Sequence, residues 1–405
     1  ATLEQLTKLQ PNFYSVWDFQ AHNLSYNISV EFDDYRDRYA WVMKGIEFLR
    51  DGISLNRREP RLLGRMGWFI GQKIGKSDEK RQFRKLFKAD DDFHERDRPG
   101  RTLPERDNWL VAREKFLAGQ ALADSGAPLK TTPLIFHSEP MMTAINHARA
   151  LEDDGVFGTR ARDAWKLAGE EMRRYALREI PTSWNVPVRL GLEEDERERA
   201  RRLAAELEAL LPGQKAALEA ARRDGLAPEQ RAALDVPPAE RSEAQQRLAA
   251  EAGAALVVDW AAVAREAPAD LRPRAKQLAA QLKEAEETAT IIARYREIVN
   301  FGFWRAICEA EVTEPALRAR ERTWQAERDF AAARLQPAKA GFEAAFRDWR
   351  ELLDGSERLR EDALFADELA AVVNRYRKLL EQLDEPFPEP FILQDVVDKA
   401  GTLPP

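Results

Sequence analysis

Three observations predict an all-α protein built of stacked helical hairpins. Apolar residues recur at helical spacing along most of the chain, and long stretches are dominated by Ala, Glu, Leu and Arg. The third observation is one hairpin pattern that is written twice between Pro11 and Gly75. The first copy runs from Pro11-Asn12-Phe13 through Trp17, Ala21, Leu24 and Tyr26, and resumes at Tyr39, Val42, Gly45, Ile46 and Leu49. The second opens at Glu59-Pro60 and continues through Gly67, Trp68, Ile70, Gly71 and Ile74. A repeat unit of this kind cannot bury its own apolar face and stacks on a neighbour.

Composition sets the outer limits. With 405 residues the chain is long enough for two or three domains or one extended solenoid. The net charge of -7 argues against a general nucleic-acid binder, which needs a basic face, so no nucleic acid is expected. One cysteine, Cys308, allows no internal disulfide, and its neighbours Phe303, Trp304 and Ile307 predict a buried, inert thiol. No run approaches the roughly 18 apolar residues of a membrane span.

Along the chain, residues 1–190 read as N-terminal helical repeats. Ala1–Gln10 has the pattern of a second hairpin helix whose partner is expected upstream of Ala1, together with any membrane contact. Connections are expected at Asn27–Arg36 and Asp51–Arg58. Asp90–Gly100 is polar and rich in turn formers, which predicts a surface loop near 90–105. A helix is expected over Asp107–Ala123, and an extended connector between Pro133 and Pro140. A further hairpin follows, with Met141–Leu151 and Val156–Leu177 joined by a turn at Glu152-Asp153-Asp154-Gly155.

Residues 191–290 form an Ala/Glu/Arg-rich, coiled-coil-like helical insert, broken at Pro212-Gly213, Pro237-Pro238 and Pro268. Residues 291–383 are C-terminal helices, and Arg274–Glu311 reads as one long helix. Thr313 with Pro315 predicts an N-cap followed by a first-turn proline. Helices are expected over Leu317–Ala332, from Pro337 onward, and over Ala363–Leu383, before a proline-rich tail at 384–405.

Two resemblances follow from longer motifs. Pro337-Ala338-Lys339-Ala340-Gly341-Phe342-Glu343-Ala344-Ala345-Phe346 resembles the second helix of a tetratricopeptide repeat. The spacing of 49 between Pro11 and Pro60 exceeds the repeat's unit of about 34 residues, so the repeats read as degenerate, with insertions. The fold expected is therefore a tetratricopeptide-like α-solenoid. Tyr26–Asp34, Gly67–Gly75, Lys88–His94, Asp107–Val111 and Leu380–Pro388 together resemble a family of uncharacterised planctomycete proteins often labelled "IRE (iron responsive element)". That resemblance implies a longer N-terminus with a hydrophobic anchor, and the label carries no established activity.

No HExxH, paired Cys/His, nucleophile or phosphate-loop motif occurs, so the sequence reads as a non-catalytic scaffold or adaptor for a protein partner, with no cofactor. Tyr14, Tyr35 and Trp41 are the candidate groove aromatics, and Arg57, Arg58, Arg61 and Arg65 the candidate clamp for an acidic partner. Lys73 and Lys76 continue the same basic stretch, whose plain alternative is a solvated helix face. The second functional expectation is a metal-responsive protein. Asp90, Asp91, Asp92, His94 and Asp97 offer oxygen and imidazole ligands, without the spacing of an EF-hand.

Overall fold

Helices account for all regular structure in the computed structural model, which describes residues 12–184 and 186–401. Among these residues there is no strand, only an isolated bridge between Ile180 and Val188. The helix expected at Ala1–Gln10, and Pro11 with it, lie outside the described residues. The chain divides into two compact units, one holding the described residues up to Ala176 together with those from Glu297, the other spanning Leu177–Arg296.

The first unit begins with α1 (Tyr14–His22) packed on α2 (Tyr35–Leu55). The connection expected at Asn27–Arg36 is largely helical, because α1 continues as a π turn over Asn23–Ile28 and a 3-10 turn to Glu31. Small buried serines allow it. Ser25 donates to Val42 O at 3.2 Å, and a Cβ on Gly45 would stand 2.0 Å from the Ser25 hydroxyl. The π turn thus sets a serine against a glycine where two helices nearly touch.

Next comes α3 (Pro60–Trp68), with Pro60 in the first turn and Glu59 accepting from Arg61 N, and it too runs on into a π turn at Phe69–Lys73. Its glycine stripe faces α6 (Asn108–Asp124): a Cβ on Gly67 would lie 3.0 Å from Ala112 O, and one on Gly75 would lie 2.4 Å from the Trp109 ring. The second hairpin copy therefore pairs with a helix more than thirty residues away.

Between α3 and α6 lie α4 (Lys80–Lys88) and α5 (Asp91–Asp97). The predicted loop at Asp90–Gly100 is corrected here. Asp90 caps α5 by accepting from Phe93 N at 2.9 Å, and Phe93 and His94 are buried, so aspartates that read as loop formers serve as a helix start.

The expected connector between Pro133 and Pro140 is also helical. It opens α7 (Pro133–Asp153), with Pro133 in the first turn and Pro140 inside the helix. Pro140 has no N–H for the Phe136 carbonyl. Gln120 of α6 donates its amide to Phe136 O at 3.4 Å and to His137 O at 3.3 Å, which fills the gap from a neighbouring helix. Gly155, at φ +77, turns the chain into α8 (Thr159–Leu177).

The second unit contains α9 (Glu193–Leu210), α10 (Gln214–Asp224), α11 (Pro228–Asp235), α12 (Glu243–Leu256), α13 (Trp260–Glu266) and α14 (Arg272–Ile298), whose last residues return to the first unit. Its own core gathers Leu207, Leu211, Val263, Leu278 and Leu282. The residues of the expected insert, 191–290, all fall within it.

The single helix expected over Arg274–Glu311 is broken. Asn300 adopts φ +48, a left-handed conformation that asparagine tolerates, and separates α14 from α15 (Phe301–Ala310). The break lets Phe301, Phe303 and Ile307 turn inward together. The N-cap position of Thr313 is as expected, but its hydroxyl donates back to Ala310 O at 2.6 Å and makes no bond to the helix it precedes. α16 (Glu314–Ala331) and α17 (Leu335–Asp354) pack closely enough that a Cβ on Gly341 would stand 2.9 Å from Ala326 Cβ. After α18 (Ala363–Gln382) the tail lies along this body as far as it is described, with Phe391 buried against Phe346.

Candidate functional site

The residues singled out from sequence are distributed over several places. Tyr14, Arg61 and Arg65 meet: Tyr14 donates to Asp18 at 3.2 Å, Arg61 lies 4.0 Å above the Tyr14 ring, and Arg65 pairs with Asp18. Arg61 is also clamped by Glu59 at 2.7 Å, so both cations already have internal carboxylates. Trp41 stacks on Phe32 and carries Lys44 on its ring, while Tyr35 stands under Arg36. Arg57 and Arg58 precede α3 and bond to backbone carbonyls of Ser54 and Gly126.

Four of the five predicted metal ligands are used one by one for folding. Asp90 accepts from Tyr39 OH at 3.0 Å as well as capping α5, and Asp91 pairs with Arg106. Asp92 is exposed. His94 bonds to Phe87 O at 2.8 Å through Nε2 and to Arg101 at 3.0 Å through Nδ1, and burial pushes its imidazole pKa down, towards the neutral form. Burial would raise the Asp97 carboxyl, but Lys115 and Arg101 outweigh it and hold the group below the usual range. Among the described residues, no group of three or more His, Cys, Asp or Glu could hold a metal ion.

What the fold does assemble is a cleft of about 1040 Å³ in the first unit. One wall is α4, Lys80-Arg81-Gln82-Phe83-Arg84-Lys85-Leu86-Phe87-Lys88. Phe83 and Phe87 are buried at i, i+4 spacing, which turns Arg81, Arg84, Lys85 and Lys88 towards solvent and the cleft. The other walls come from the end of α7, the start of α8 and the C-terminal half of α16, contributing His147, Leu151, Arg160, Trp324 and Arg328.

The charges of the cleft are unequally paired. Asp107 holds His147 at 3.0 Å and lies 3.7 Å from Arg84, and Arg84 also pairs with Asp154 at 3.1 Å. Burial pushes the Asp107 carboxyl up, but His147, Arg84 and the Trp109 amide outweigh it, and the group stays ionised. Asp153 holds Lys80 at 3.2 Å, and Glu327 holds Arg375. The four carboxylates of the cleft are thus occupied. Arg81, Lys85, Lys88, Arg160 and Arg328 have no carboxylate partner among the described residues. In a chain of net charge -7, five uncompensated cations around one hollow concentrate positive potential there.

A second hollow of about 640 Å³ shares Lys80, Asp153, Trp324 and Glu327 with the first. Trp324 forms the partition. Its indole donates to Asp153 O at 3.4 Å, Phe157 meets it edge-on at 5.7 Å, and Arg328 lies 4.7 Å over the ring. Gly155 is needed twice over, for its positive φ and because a Cβ there would stand 2.3 Å from Trp324.

The floor of this hollow is an ionic network. Arg320 donates from Nε to Glu311 at 3.1 Å, pairs with Glu368, and rests 4.7 Å over Trp349. Arg149 reaches Glu368 at 3.5 Å. Glu152 is buried and accepts from Trp165 Nε1 at 2.7 Å. Burial first, and then the Glu311 charge, push the Glu152 carboxyl up to about 7, against the pull of Arg320.

Sequence reasoning placed the basic clamp at Arg57–Arg65 and missed α4. The signal was present: two phenylalanines four apart, with cations at Lys80, Arg81, Arg84, Lys85 and Lys88 around them. The carboxylates of the ionic network had no such signal, because Glu152 and Glu368 lie on separate helices and Glu311 follows the end of a third. The chain matches no protein-family model, no curated protein and no solved structure. Among the described residues no helix is long and apolar enough to cross a membrane.

Proposed function

We propose that this chain is a non-catalytic adaptor whose tetratricopeptide-like helical hairpins form a scaffold, and whose basic cleft holds an acidic segment of a partner protein. It keeps the planctomycete resemblance as its family. The observation that carries the reading is the set of five unpaired cations, Arg81, Lys85, Lys88, Arg160 and Arg328, converging on one hollow from three helices. The arginines chosen from sequence, Arg61 and Arg65, are neutralised by Glu59 and Asp18, so they are weaker anchors. Charge attraction at an exposed cleft speeds encounter and is screened within about 10 Å at 0.1 M salt.

The test is fluorescence anisotropy of a labelled oligoglutamate peptide with the intact chain. Binding that weakens steeply with salt, and falls at least about tenfold in an R81E/K85E/K88E variant of unchanged helicity and melting temperature, is the expected result. No binding at low salt, or binding indifferent to the charge reversal, overturns the reading.

A further inference from the structure

The two hollows differ in how their cations are used, and the difference gives the cleft a polarity. In the outer one, five cations are unpaired and exposed or half-exposed. In the inner one Arg149, Arg320 and Arg375 are each held by Glu368, Glu311 or Glu327. Among the described residues Lys76 is the one cation of the inner hollow without a carboxylate partner, against five in the outer, so the inner hollow offers an anion little. It offers apolar surface instead, from Phe157, Trp324, Leu369, Val372 and Ala371. The two meet at Trp324, so one extended ligand can occupy both.

We infer that the partner segment is bipartite: a run of Asp or Glu residues lies along the outer cations, and one aromatic side chain next to that run enters the inner hollow beside Trp324. This rests on the adaptor reading and names the sequence that it recognises. An acidic run alone would leave the apolar inner surface wet. A ring at its end removes that surface from water and meets Phe157 and Trp324, which favour edge-on or offset partners. The Arg328 guanidinium, already over Trp324, stands where the two parts of the ligand join and can face the first carboxylate.

The experiment titrates the intact chain with three labelled peptides: an acidic octamer, and the same octamer carrying Trp at either end. The expected result is that one Trp-bearing peptide binds about tenfold tighter or more than the plain octamer, as burial of one ring allows. Ala371 is exposed and lines the inner hollow, so Ala371→Trp fills that space at little risk to folding. This variant is expected to abolish the gain and leave the affinity for the plain octamer within about twofold. If the octamer binds but neither Trp gives a gain, or if the gain survives Ala371→Trp, the bipartite inference falls and the adaptor reading stands. If none of the three peptides binds, both fall.

Discussion

Glu152 is the residue at which local chemistry and burial conflict most. Its carboxyl is buried among Glu311, Arg320 and Arg149, with Trp165 donating to it, and its pKa is pushed up from 4.5 to about 7. The folded state then holds a proton that the unfolded chain has released. Stability from this group is fully present below pH 4.5 and is lost as pH rises through about 7. Glu152→Gln keeps an oxygen for Trp165 and carries no charge to bury. The variant is expected to match the parent near pH 4.5 and to exceed it by about 1–3 kcal/mol at pH 8, read by denaturant titration at both values. Parallel pH profiles for the two proteins would refute the assignment. Cys308 lies in the same body, and burial followed by Glu311 and Glu309 pushes its thiol up to about 12, which favours the protonated form.

The helices show how far local signals reach. Some punctuation was legible: Pro60 opens a helix, and Gly155 and Gly213 turn the chain. One error fell where a distant side chain supplied what the local sequence lacked. Pro140 reads as the end of a connector, yet α7 continues through it because Gln120 serves the Phe136 carbonyl from another helix. Gln120→Ala should therefore cost about 1–2 kcal/mol in chemical denaturation, the range for a buried carbonyl left unpaired. Adding Pro140→Ala, which restores the backbone N–H, should return part of that loss. A double-mutant cycle with no coupling between positions 120 and 140 would show that the amide has another role.

At the scale of the whole molecule the chain divides into two compact units, and the second has a core of its own. Leu207 and Leu211 of the α9 region meet Val263, Leu278 and Leu282, and Arg296 pairs with Glu193 at 3.1 Å, tying the end of the unit to its start. A segment of residues 177–296, expressed alone, is expected to be helical by circular dichroism and to melt in one cooperative transition. A gradual, non-cooperative loss of ellipticity would show that its core depends on the rest of the chain.

By itself the sequence determined the helical class and most helix starts. These follow from periods of three and four residues, so they are written locally. Only the tertiary structure decided which charges are free. Arg61 and Arg65 looked available and are neutralised, whereas Arg81, Lys85 and Lys88, which were not singled out from sequence, are left without partners. A cation's value to a ligand depends on the carboxylates within a few ångströms of it, and Arg320 finds one of its own, Glu368, 48 residues away. The pKa of Glu152 likewise depends on burial and on neighbours from other helices, which periodicity does not encode.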